Sequence, residues 1–247
     1  MDLKAFFEHN PKVALAFSGG VDSAYLLYAA VSCGADVRAY YVKTPFQPEF
    51  EYEDALRLAR QLDAEMVTID LDVLSDNSIA ENPKNRCYYC KKRIFNAILE
   101  RAKADGYSLI IDGTNASDDA ADRPGMVALK ELSVRSPLRE CGLTKEEIRK
   151  LSQEAGLFTH DKPAYACLAT RIPTGKPITA EKLAITERNE GFLRSLGFRD
   201  FRIHFLGSAA KLQVAREELA LLMEKREVIL EALKNDYTEV LLDLEVR

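Results

Sequence analysis

The sequence of 247 residues lacks a long hydrophobic run, since no apolar segment reaches the roughly 18 residues that a membrane-spanning helix requires. No apolar stretch of the kind found in a secretory signal peptide follows Met1. The sequence also contains no internal repeat and no low-complexity tract. We therefore expect a protein without a membrane partner, whose length suits either one larger domain or two smaller ones.

An excess of positive charge is absent as well. The formal net charge is −5, which argues against a broad basic surface and favours a small-molecule substrate over RNA or DNA. The five cysteines are odd in number and are not spaced like a secreted disulfide framework, so we expect a reducing, cytoplasmic location. Hydrophobic residues make up 47% of the chain, which is ample for a core. The oligomeric state stays open, and a homo-oligomer is one alternative.

Apolar strands and amphipathic helices alternate through the first two-thirds of the sequence. This alternation predicts an α/β fold with a doubly wound parallel sheet. The candidate strands are residues 13–17, 37–42, 66–69 and 109–112, and the candidate helices are residues 23–32, 50–61 and 91–103. Ligands of such sheets bind at the carboxyl ends of the strands. Ser18, Lys43, Asp70 and Gly113 follow candidate strands, so we expect them to converge on one crevice.

The last third of the chain predicts a second, small α+β domain. Before it, Thr144 and Glu147 have the spacing of a capping box, and Gly156 marks the end of that helix. Residues 162–177 carry Pro and Gly and interrupt regular structure. The elements expected after them are a helix over 180–196, strands over 201–205 and 211–214, a helix over 217–234 and a strand over 239–244. We predict a first domain over residues 1–160, a cysteine-bearing linker over 161–178 and a small domain over 179–247.

A loop of small residues follows the first candidate strand and reads Ser18-Gly19-Gly20-Val21-Asp22-Ser23. Backbone N–H groups of such a loop and the positive end of the next helix can hold phosphate oxygens. Neither G-x-x-x-x-G-K-[ST] nor G-x-G-x-x-G occurs, which excludes two commoner phosphate loops. The alternative is a strand–turn–helix corner whose small residues only pack. The run S-G-G-x-D-S resembles the pyrophosphate-binding loop of the ATP α-hydrolase (PP-loop) superfamily, which implies cleavage of ATP between its α and β phosphates.

Cysteines form the second candidate site. Cys87 and Cys90 make a C-x-x-C pair, which suits redox exchange, zinc or an iron–sulfur cluster. The pair does not follow the first strand of a thioredoxin-like unit, and zinc lacks an obvious fourth ligand. Cys167 is a third candidate, because three cysteines can anchor a [4Fe–4S] cluster with one iron open; the alternative is a small buried residue. We expect Cys33 and Cys141 to be structural, with Cys33 in the core.

Further motifs occur in order along nearly the whole chain. They are Asp112-Gly113-Thr114-Asn115-Ala116, Arg123-Pro124-Gly125, Val134-Arg135-Ser136-Pro137-Leu138, Thr144-Lys145, Lys162-Pro163, Cys167-Leu168-Ala169-Thr170-Arg171-Ile172-Pro173 and Leu196-Gly197-Phe198-Arg199. With the phosphate loop, they resemble the LarE family of ATP-dependent sulfurtransferases, which build the nickel-pincer nucleotide cofactor of lactate racemase. The resemblance implies that the enzyme adenylates a carboxylate of pyridinium-3,5-biscarboxylic acid mononucleotide, releases pyrophosphate and replaces the activated oxygen with sulfur.

The resemblance implies one of two sulfur sources. In one LarE type a sacrificial cysteine, matched here by Cys167, becomes dehydroalanine. In the other type, three cysteines hold a [4Fe–4S] cluster whose open iron carries an extra sulfide. Because Cys87, Cys90 and Cys167 occur together, the chain resembles the cluster type, with the sacrificial role of Cys167 as the alternative. The implied cofactors are ATP, Mg²⁺ and the cluster, and the implied partners are the small nucleotide substrate and a sulfide donor.

The resemblance and the chemistry of the residue types also assign candidate site residues. The set for ATP and pyrophosphate is Ser18, Gly19, Gly20, Val21, Asp22, Ser23, Lys43, Gly113 and Thr114. Within it, Asp22 would contact Mg²⁺, and Gly113 and Thr114 would lie against AMP. The set for the substrate phosphate and carboxylate is Asp118, Arg171, Glu190, Arg202 and His204. The alternatives are surface salt bridges for Arg171 and Arg202 and a solvated helix face for Glu190.

The chain departs from the family pattern at four positions. His204 stands where a second arginine is usual, Lys211 and Gln213 stand where arginine and glutamate are expected, and Ser117 replaces an acidic residue. These departures leave the exact substrate open. One rival function is a tRNA thiolase of the same superfamily, against which the net acidity argues. Another is a regulator that binds AMP or ATP without catalysis.

Overall fold

The chain forms two units in a computed structural model that describes residues 2–118 and 124–245. The first unit comprises the described residues up to Val73 together with those from Asn85 to Ala164. The second comprises Leu74–Lys84 together with the described residues from Tyr165 onward. Arg123 of the Arg123-Pro124-Gly125 motif lies outside the described residues.

Helices and strands alternate through most of the first unit, and the second unit also contains both. In chain order, the α-helices are α1 (Leu3–His9), α2 (Val21–Ser32), α3 (Glu49–Gln61), α4 (Asn77–Ala80), α5 (Arg86–Ala104), α6 (Pro124–Glu131), α7 (Pro137–Glu140), α8 (Lys145–Glu154), α9 (Ala180–Ser195), α10 (Leu219–Glu224) and α11 (Arg226–Leu233). The strands are β1 (Lys12–Ala16), β2 (Asp36–Lys43), β3 (Glu65–Asp70), β4 (Ile110–Asp112), β5 (Phe201–Leu206), β6 (Ala209–Val214) and β7 (Val240–Leu242). Within the described ranges, every helix is too short or too polar to cross a membrane.

The first unit is built on a parallel sheet in the order β3-β2-β1-β4. Leu15 of β1 pairs with Ala39 of β2 on one side and with Ile111 of β4 on the other. The chain therefore runs outward from β1 to β2 and β3 and then returns to add β4 beside β1. That reversal makes the carboxyl ends of β1 and β4 a topological switch point, where doubly wound sheets bind ligands. The predicted α/β fold class is confirmed.

Alternate residues of the strands supply two separate cores, one on each face of the sheet. Leu15, Ala39 and Tyr41 face the core that contains residues of α1, α2 and α3. Tyr40 and Val42, the alternate positions of β2, face a second core with residues of α5. Because successive strand residues point to opposite faces, a strand covered on both sides is apolar throughout. This explains why residues 13–17 read as a continuous hydrophobic run.

Helix α8 begins at the predicted capping box. The Thr144 hydroxyl accepts from the Glu147 N–H at 3.3 Å, and the Glu147 carboxylate accepts from the Thr144 N–H at 2.8 Å. The Thr144 hydroxyl also donates to the Glu147 carboxylate at 2.7 Å, and this bond, together with the one from the Thr144 N–H, lowers the pKa of Glu147 because both favour its charged form. Gly156 follows the helix with a φ of +67°, as a C-terminal glycine does.

The second unit contains a three-stranded sheet in the order β5-β6-β7, with α9 preceding β5 in the sequence. Strands β5 and β6 are antiparallel, whereas β6 and β7 are parallel. The single helix expected over 217–234 is instead a 3₁₀ turn (Arg216–Glu218) followed by α10 and α11. Lys225, with φ of −92° and ψ of 8°, ends α10 and begins α11, which interrupts the regular helical hydrogen bonding.

Residues 74–84 join the second unit through backbone and side-chain hydrogen bonds. The Asn82 carbonyl accepts from the Gly175 N–H at 2.8 Å, and the Ala80 carbonyl accepts from the Ile178 N–H at 2.7 Å. The buried Asn82 amide also donates to the carbonyls of Ile172 and Pro173. These contacts join segments that are far apart along the chain, which is why local sequence patterns do not indicate them.

Candidate active site

The loop between β1 and α2 has the backbone of an anion cradle. Gly19 has a φ of +72°, and a Cβ at this position would lie 3.0 Å from the Ala55 Cβ, so both the conformation and the space require glycine. Gly20 is the N-cap of α2. The first N–H groups of a helix have no partner within the helix and carry its positive end. The start of α2 therefore directs backbone donors toward the loop.

Two serine hydroxyls hold this loop in shape. Ser23 is buried, and its hydroxyl donates to the Gly20 carbonyl at 3.1 Å. The same oxygen lies 3.1 Å from the Ser18 hydroxyl oxygen and accepts from the Ser18 N–H at 3.3 Å. The loop is thus fixed by its own side chains and needs no ligand to order it.

The end of β4 packs directly against the start of α2. A Cβ at Gly113 would lie 2.8 Å from the Ser23 backbone nitrogen, so a side chain there would collide with the cradle. The preceding residue, Asp112, is buried, and its carboxylate accepts from the hydroxyls of Thr114 and Ser136, each at 2.6 Å. These bonds fix the turn that follows β4. Gly113 and Thr114 therefore lie beside the phosphate loop, as expected for strands that end at one switch point.

Asp22 contacts two further segments of the chain, the turn after β4 and the start of α8. Its carboxylate accepts from the Lys145 ammonium at 2.5 Å and from the Asn115 amide at 3.3 Å. Lys145 is the first residue of α8, and its N–H donates to the Ser117 hydroxyl at 3.0 Å. Asp22 could coordinate a cation with its oxygens, but in this arrangement Lys145 already neutralises it.

A cavity of about 340 Å³ opens at the carboxyl ends of β1 and β4. Its polar lining includes Ser18, Asp22, Ser23, Asp112, Gly113, Thr114 and Asp118. Its apolar lining includes Tyr40, Val42, Ile94, Phe95 and Ile98. The lining thus combines polar groups, which suit phosphate and ribose, with apolar groups, which can pack against a base, and a nucleotide requires both.

Lys43 and Asp70 are absent from the cavity lining within the described residues, although both end strands of the same sheet. The Lys43 ammonium lies 2.8 Å from Glu49 and 4.4 Å from the centre of the Tyr52 ring. The pairing with Glu49 raises the pKa of Lys43. Asp70 is exposed. Ser18 and Gly113 therefore line the cavity at the sheet edge, whereas the side chains of Lys43 and Asp70 do not.

Cys87 and Cys90 lie in the first two turns of α5. Residues three apart on a helix share a face, with Cβ atoms about 5–6 Å apart, so the two thiols belong to the same side of α5. Cys87 is exposed and Cys90 is buried. Two thiolates at this spacing fit a metal or a cluster as a pair of ligands, although within the described residues no three His, Cys, Asp or Glu side chains are grouped closely enough to hold a metal ion.

The other cysteines have different surroundings, and none of the five, all within the described residues, forms a disulfide. Cys167, in the second unit, is half-buried and precedes the 3₁₀ turn Leu168–Arg171, where its carbonyl accepts from the Thr170 hydroxyl at 2.8 Å. Cys141 packs partly against a core. The expectation that Cys33 lies in the core is wrong, because Cys33 caps the carboxyl end of α2 and is exposed there.

Arg171 and Glu190 form a buried ion pair in the second unit. Both are about 1% exposed, and the Arg171 Nε and Nη2 donate to the two Glu190 carboxylate oxygens at 2.7 and 3.1 Å. Glu190 also accepts from the Tyr165 hydroxyl at 2.5 Å and from the Ile203 N–H at 3.1 Å. Burial raises the pKa of Tyr165, and the Glu190 charge adds to that shift. Glu190 is therefore not part of a solvated helix face.

Arg202 and His204 lie on β5 near this pair. Arg202 is buried, with its guanidinium 4.9 Å from the centre of the Tyr165 ring, and its Nη1 donates to the Phe201 carbonyl at 2.5 Å. His204 is half-buried, and burial, with the charges of Arg171 and Lys211, lowers its pKa. The second unit thus brings Arg171, Glu190, Arg202 and His204 together.

Asp118, by contrast, belongs to the first unit. Its carboxylate accepts from the Asn115 N–H at 3.0 Å, its carbonyl accepts from Arg139 at 2.5 Å, and it lines the cavity. Sequence reasoning missed Lys91 and the apolar residues of α5 as cavity-lining groups. The signal that could have found them is the spacing of Lys91, Ile94, Phe95 and Ile98, which places all four on one helix face.

The parallel sheet, the loop after β1 and the cavity at the switch point define an α/β protein of the PP-loop type. No family model matches the chain. It is 33% identical to the pyridinium-3,5-bisthiocarboxylic acid mononucleotide synthase of Lactiplantibacillus plantarum, over 86% of this chain and 78% of that protein. It is 35% identical to an uncharacterized protein of Synechocystis sp., over 88% of this chain and 82% of that protein. The chain therefore belongs to the family of this synthase, the LarE family.

More distant relatives match a smaller share of the chain. A tRNA-specific 2-thiouridylase of Thermotoga neapolitana is 26% identical in an alignment that covers 61% of this chain and 54% of that protein. These relatives agree with a PP-loop fold.

Proposed function

We propose that this enzyme uses ATP to adenylate a carboxylate of a pyridinium mononucleotide and then exchanges the activated oxygen for sulfur. The observation that carries the proposal is the preformed loop at residues 18–23 beside a cavity of nucleotide type. A relative that is 33% identical is named as a synthase of a pyridinium bisthiocarboxylic acid mononucleotide, which supports the substrate class.

In the first half-reaction, a substrate carboxylate oxygen would attack the α phosphorus of ATP while the bond to pyrophosphate breaks. Negative charge then builds on the leaving pyrophosphate, where the N–H groups of residues 18–23 and the start of α2 would stabilise it. The Asp22 carboxylate has the hard oxygen donors that fit Mg²⁺, provided that Lys145 releases it. Bound Mg²⁺ neutralises phosphate charge. Gly113 and Thr114 would lie against the AMP part of the intermediate.

In the second half-reaction, a sulfur nucleophile would attack the acyl carbon, and AMP would leave with the original oxygen. We propose that Cys87, Cys90 and Cys167 hold a [4Fe–4S] cluster, which supplies the sulfur when it is bound. The alternative uses Cys167 itself. Its thiolate would attack the acyl carbon, and loss of its Cα proton with cleavage of its Cβ–Sγ bond would leave a thiocarboxylate on the substrate and dehydroalanine in the chain.

We propose that Arg202 and His204 of the second unit contact the substrate phosphate. A guanidinium suits phosphate because its N–H groups form a planar fork. The Nε and Nη2 of Arg171 both donate to the Glu190 carboxylate, and its Nη1 donates to the Ala166 carbonyl at 3.1 Å. We therefore assign Arg171 and Glu190 to holding the turn that carries Cys167.

The remaining assignments follow from the same proposal. Asp118, which lines the cavity, would position the substrate carboxylate, and Lys43 would reach the phosphates only after leaving Glu49. A sulfide donor would recharge the cluster, and the product would enter the biosynthesis of the nickel-pincer cofactor of lactate racemase. We further propose a cytoplasmic location; the oligomeric state stays open, with a homo-oligomer as one alternative.

The proposal is tested by incubating the protein with ATP, Mg²⁺ and pyridinium-3,5-biscarboxylic acid mononucleotide. AMP and pyrophosphate should form only when the mononucleotide is present. Asp22→Asn should slow their formation by about 100-fold, because it removes the carboxylate that would hold Mg²⁺ and with it the neutralisation of the phosphate charge. Asp63→Asn, at an exposed turn of the first unit, should leave the rate unchanged. Absence of AMP with the mononucleotide would refute the proposal.

The sulfur source is tested separately on protein purified without oxygen. About four irons per chain, lost when Cys87 or Cys90 is replaced by serine, would support the cluster. Colourless protein whose mass falls by one H₂S per turnover would support the sacrificial role of Cys167 instead.

A tRNA thiolase is the second candidate, because the relatives at 26% identity carry that name. The net charge of −5 argues against the basic surface that tRNA binding needs. Tight tRNA binding at moderate salt, together with AMP formation that depends on tRNA, would favour this candidate.

A further inference from the structure

One face of α5 forms a wall of the cavity. Lys91, Ile94, Phe95 and Ile98 line it at the spacing of a single helical stripe. Cys87, four residues before Lys91, continues the same stripe toward the start of the helix. With a rise of 1.5 Å per residue, Cys87 and Lys91 are separated by about 6 Å along the helix axis. The C-x-x-C turn and the cavity wall are therefore parts of one helix face.

Lys91 differs from the adjacent lysine in its surroundings. The Lys92 ammonium lies 3.2 Å from the Glu131 carboxylate and 3.1 Å from the Tyr88 hydroxyl. The half-buried Lys91 makes no ion pair or hydrogen bond through its side chain with any residue that the structure describes. Its stem passes close to Gly125, where a Cβ would lie 2.8 Å from the Lys91 Cδ. The missing side chain at Gly125 leaves room for that stem.

The carboxylates that line the cavity are engaged elsewhere. Asp22 is paired with Lys145. Asp112 accepts from two hydroxyls, and Asp118 accepts from the Asn115 N–H. A cation that is partly withdrawn from water is costly unless an anion approaches it. Within the described residues, Lys91 is therefore a cavity-lining cation that none of these carboxylates pairs with, and an anionic ligand would supply that partner.

We propose that Lys91 binds a phosphate of the nucleotide in this cavity, an inference that rests on the proposed function. An ammonium is a compact charge with three donors, which suits phosphate oxygens. Lys91 would hold the charged part of the nucleotide against the section of α5 that also carries Cys87. It is a binding residue for the adenylation half-reaction that the phosphate-loop motif does not include.

Calorimetric titration with ATP and with adenosine tests this role. Lys91→Gln should weaken ATP binding by about 10-fold or more, the usual loss for one hydrogen bond to a charged group. Adenosine binding should stay within twofold of the unchanged protein, because adenosine has no phosphate. Lys91→Arg should restore most of the ATP affinity. Lys92→Gln is the matched control and should bind ATP normally, since Lys92 is paired with Glu131.

The outcomes separate this inference from the function on which it rests. Equal ATP affinity of Lys91→Gln and the unchanged protein would overturn the inference alone. Equal losses for ATP and adenosine would also overturn it, because they would indicate a packing role for Lys91. If the unchanged protein bound neither ATP nor adenosine, the proposed function itself would fail. Should Lys91→Gln not fold, Lys91→Met, which keeps the length of the stem, would be titrated in its place.

Discussion

Replacing Gly113 with alanine should damage the phosphate loop, although the change adds only one methyl group. That methyl would lie 2.8 Å from the Ser23 backbone nitrogen and 3.1 Å from its Cα. These are backbone atoms, so no side chain can swing away. The start of α2 would have to move by about 0.6 Å to restore an ordinary contact distance. Overpacking of this kind typically costs about 1–3 kcal/mol.

The displacement should also be visible in ligand binding, because the N–H groups at the start of α2 are the proposed phosphate donors. We expect ATP affinity, measured by calorimetry, to fall about 10-fold in Gly113→Ala. Gly191→Ala is the matched control. Gly191 lies inside α9 without a positive φ, and an added methyl group there would meet open space, so alanine should stabilise the helix by about 0.5–1 kcal/mol. Unchanged ATP affinity and melting temperature in Gly113→Ala would refute this reasoning.

Two further predictions concern the second unit. Glu190→Gln leaves the Arg171 charge buried without its partner, so we expect the free energy of unfolding, measured by urea denaturation, to fall by about 3–5 kcal/mol. Glu181→Gln, at an exposed position of the same helix, is the control and should change the free energy of unfolding little. A small loss in Glu190→Gln would contradict the ion-pair assignment. The pKa of His204 is lowered in the fold, so the unfolded chain binds its proton at higher pH and stability should decline as pH falls below the ordinary histidine range. His204→Gln should reduce that decline, and an identical pH profile of unfolding would contradict the prediction.

The sequence was sufficient for the elements that follow from local patterns. The strands ending near Ser18 and Gly113 contain the apolar runs 13–16 and 110–111, and the capping box of Thr144 and Glu147 is a short-range signal, so all were predictable. The break at Lys225 was not, because the apolar positions continue across it. Cys33 was misassigned because its position at a helix end fits burial and exposure equally well.

Pairings between distant segments were out of reach of the sequence. Nothing near Asn82 indicates that its amide bonds to residues 172 and 173. Because Lys43 ends a strand, the sequence predicted that its side chain would approach the phosphate loop. In the structure, its ammonium is instead paired with the Glu49 carboxylate. The sequence does not distinguish Lys91 from Lys92 as a phosphate-binding residue. In the structure, Lys91 lines the cavity and has no partner within the described residues, whereas Lys92 is paired with Glu131.

In the proposed reaction, a substrate carboxylate is activated by adenylation and loses one oxygen to AMP. The most direct measurement is mass spectrometry of AMP formed from a substrate whose carboxylate oxygens carry ¹⁸O. We expect one labelled oxygen in each AMP for every oxygen replaced by sulfur. AMP without the label, or a sulfur-containing product formed without AMP, would contradict it.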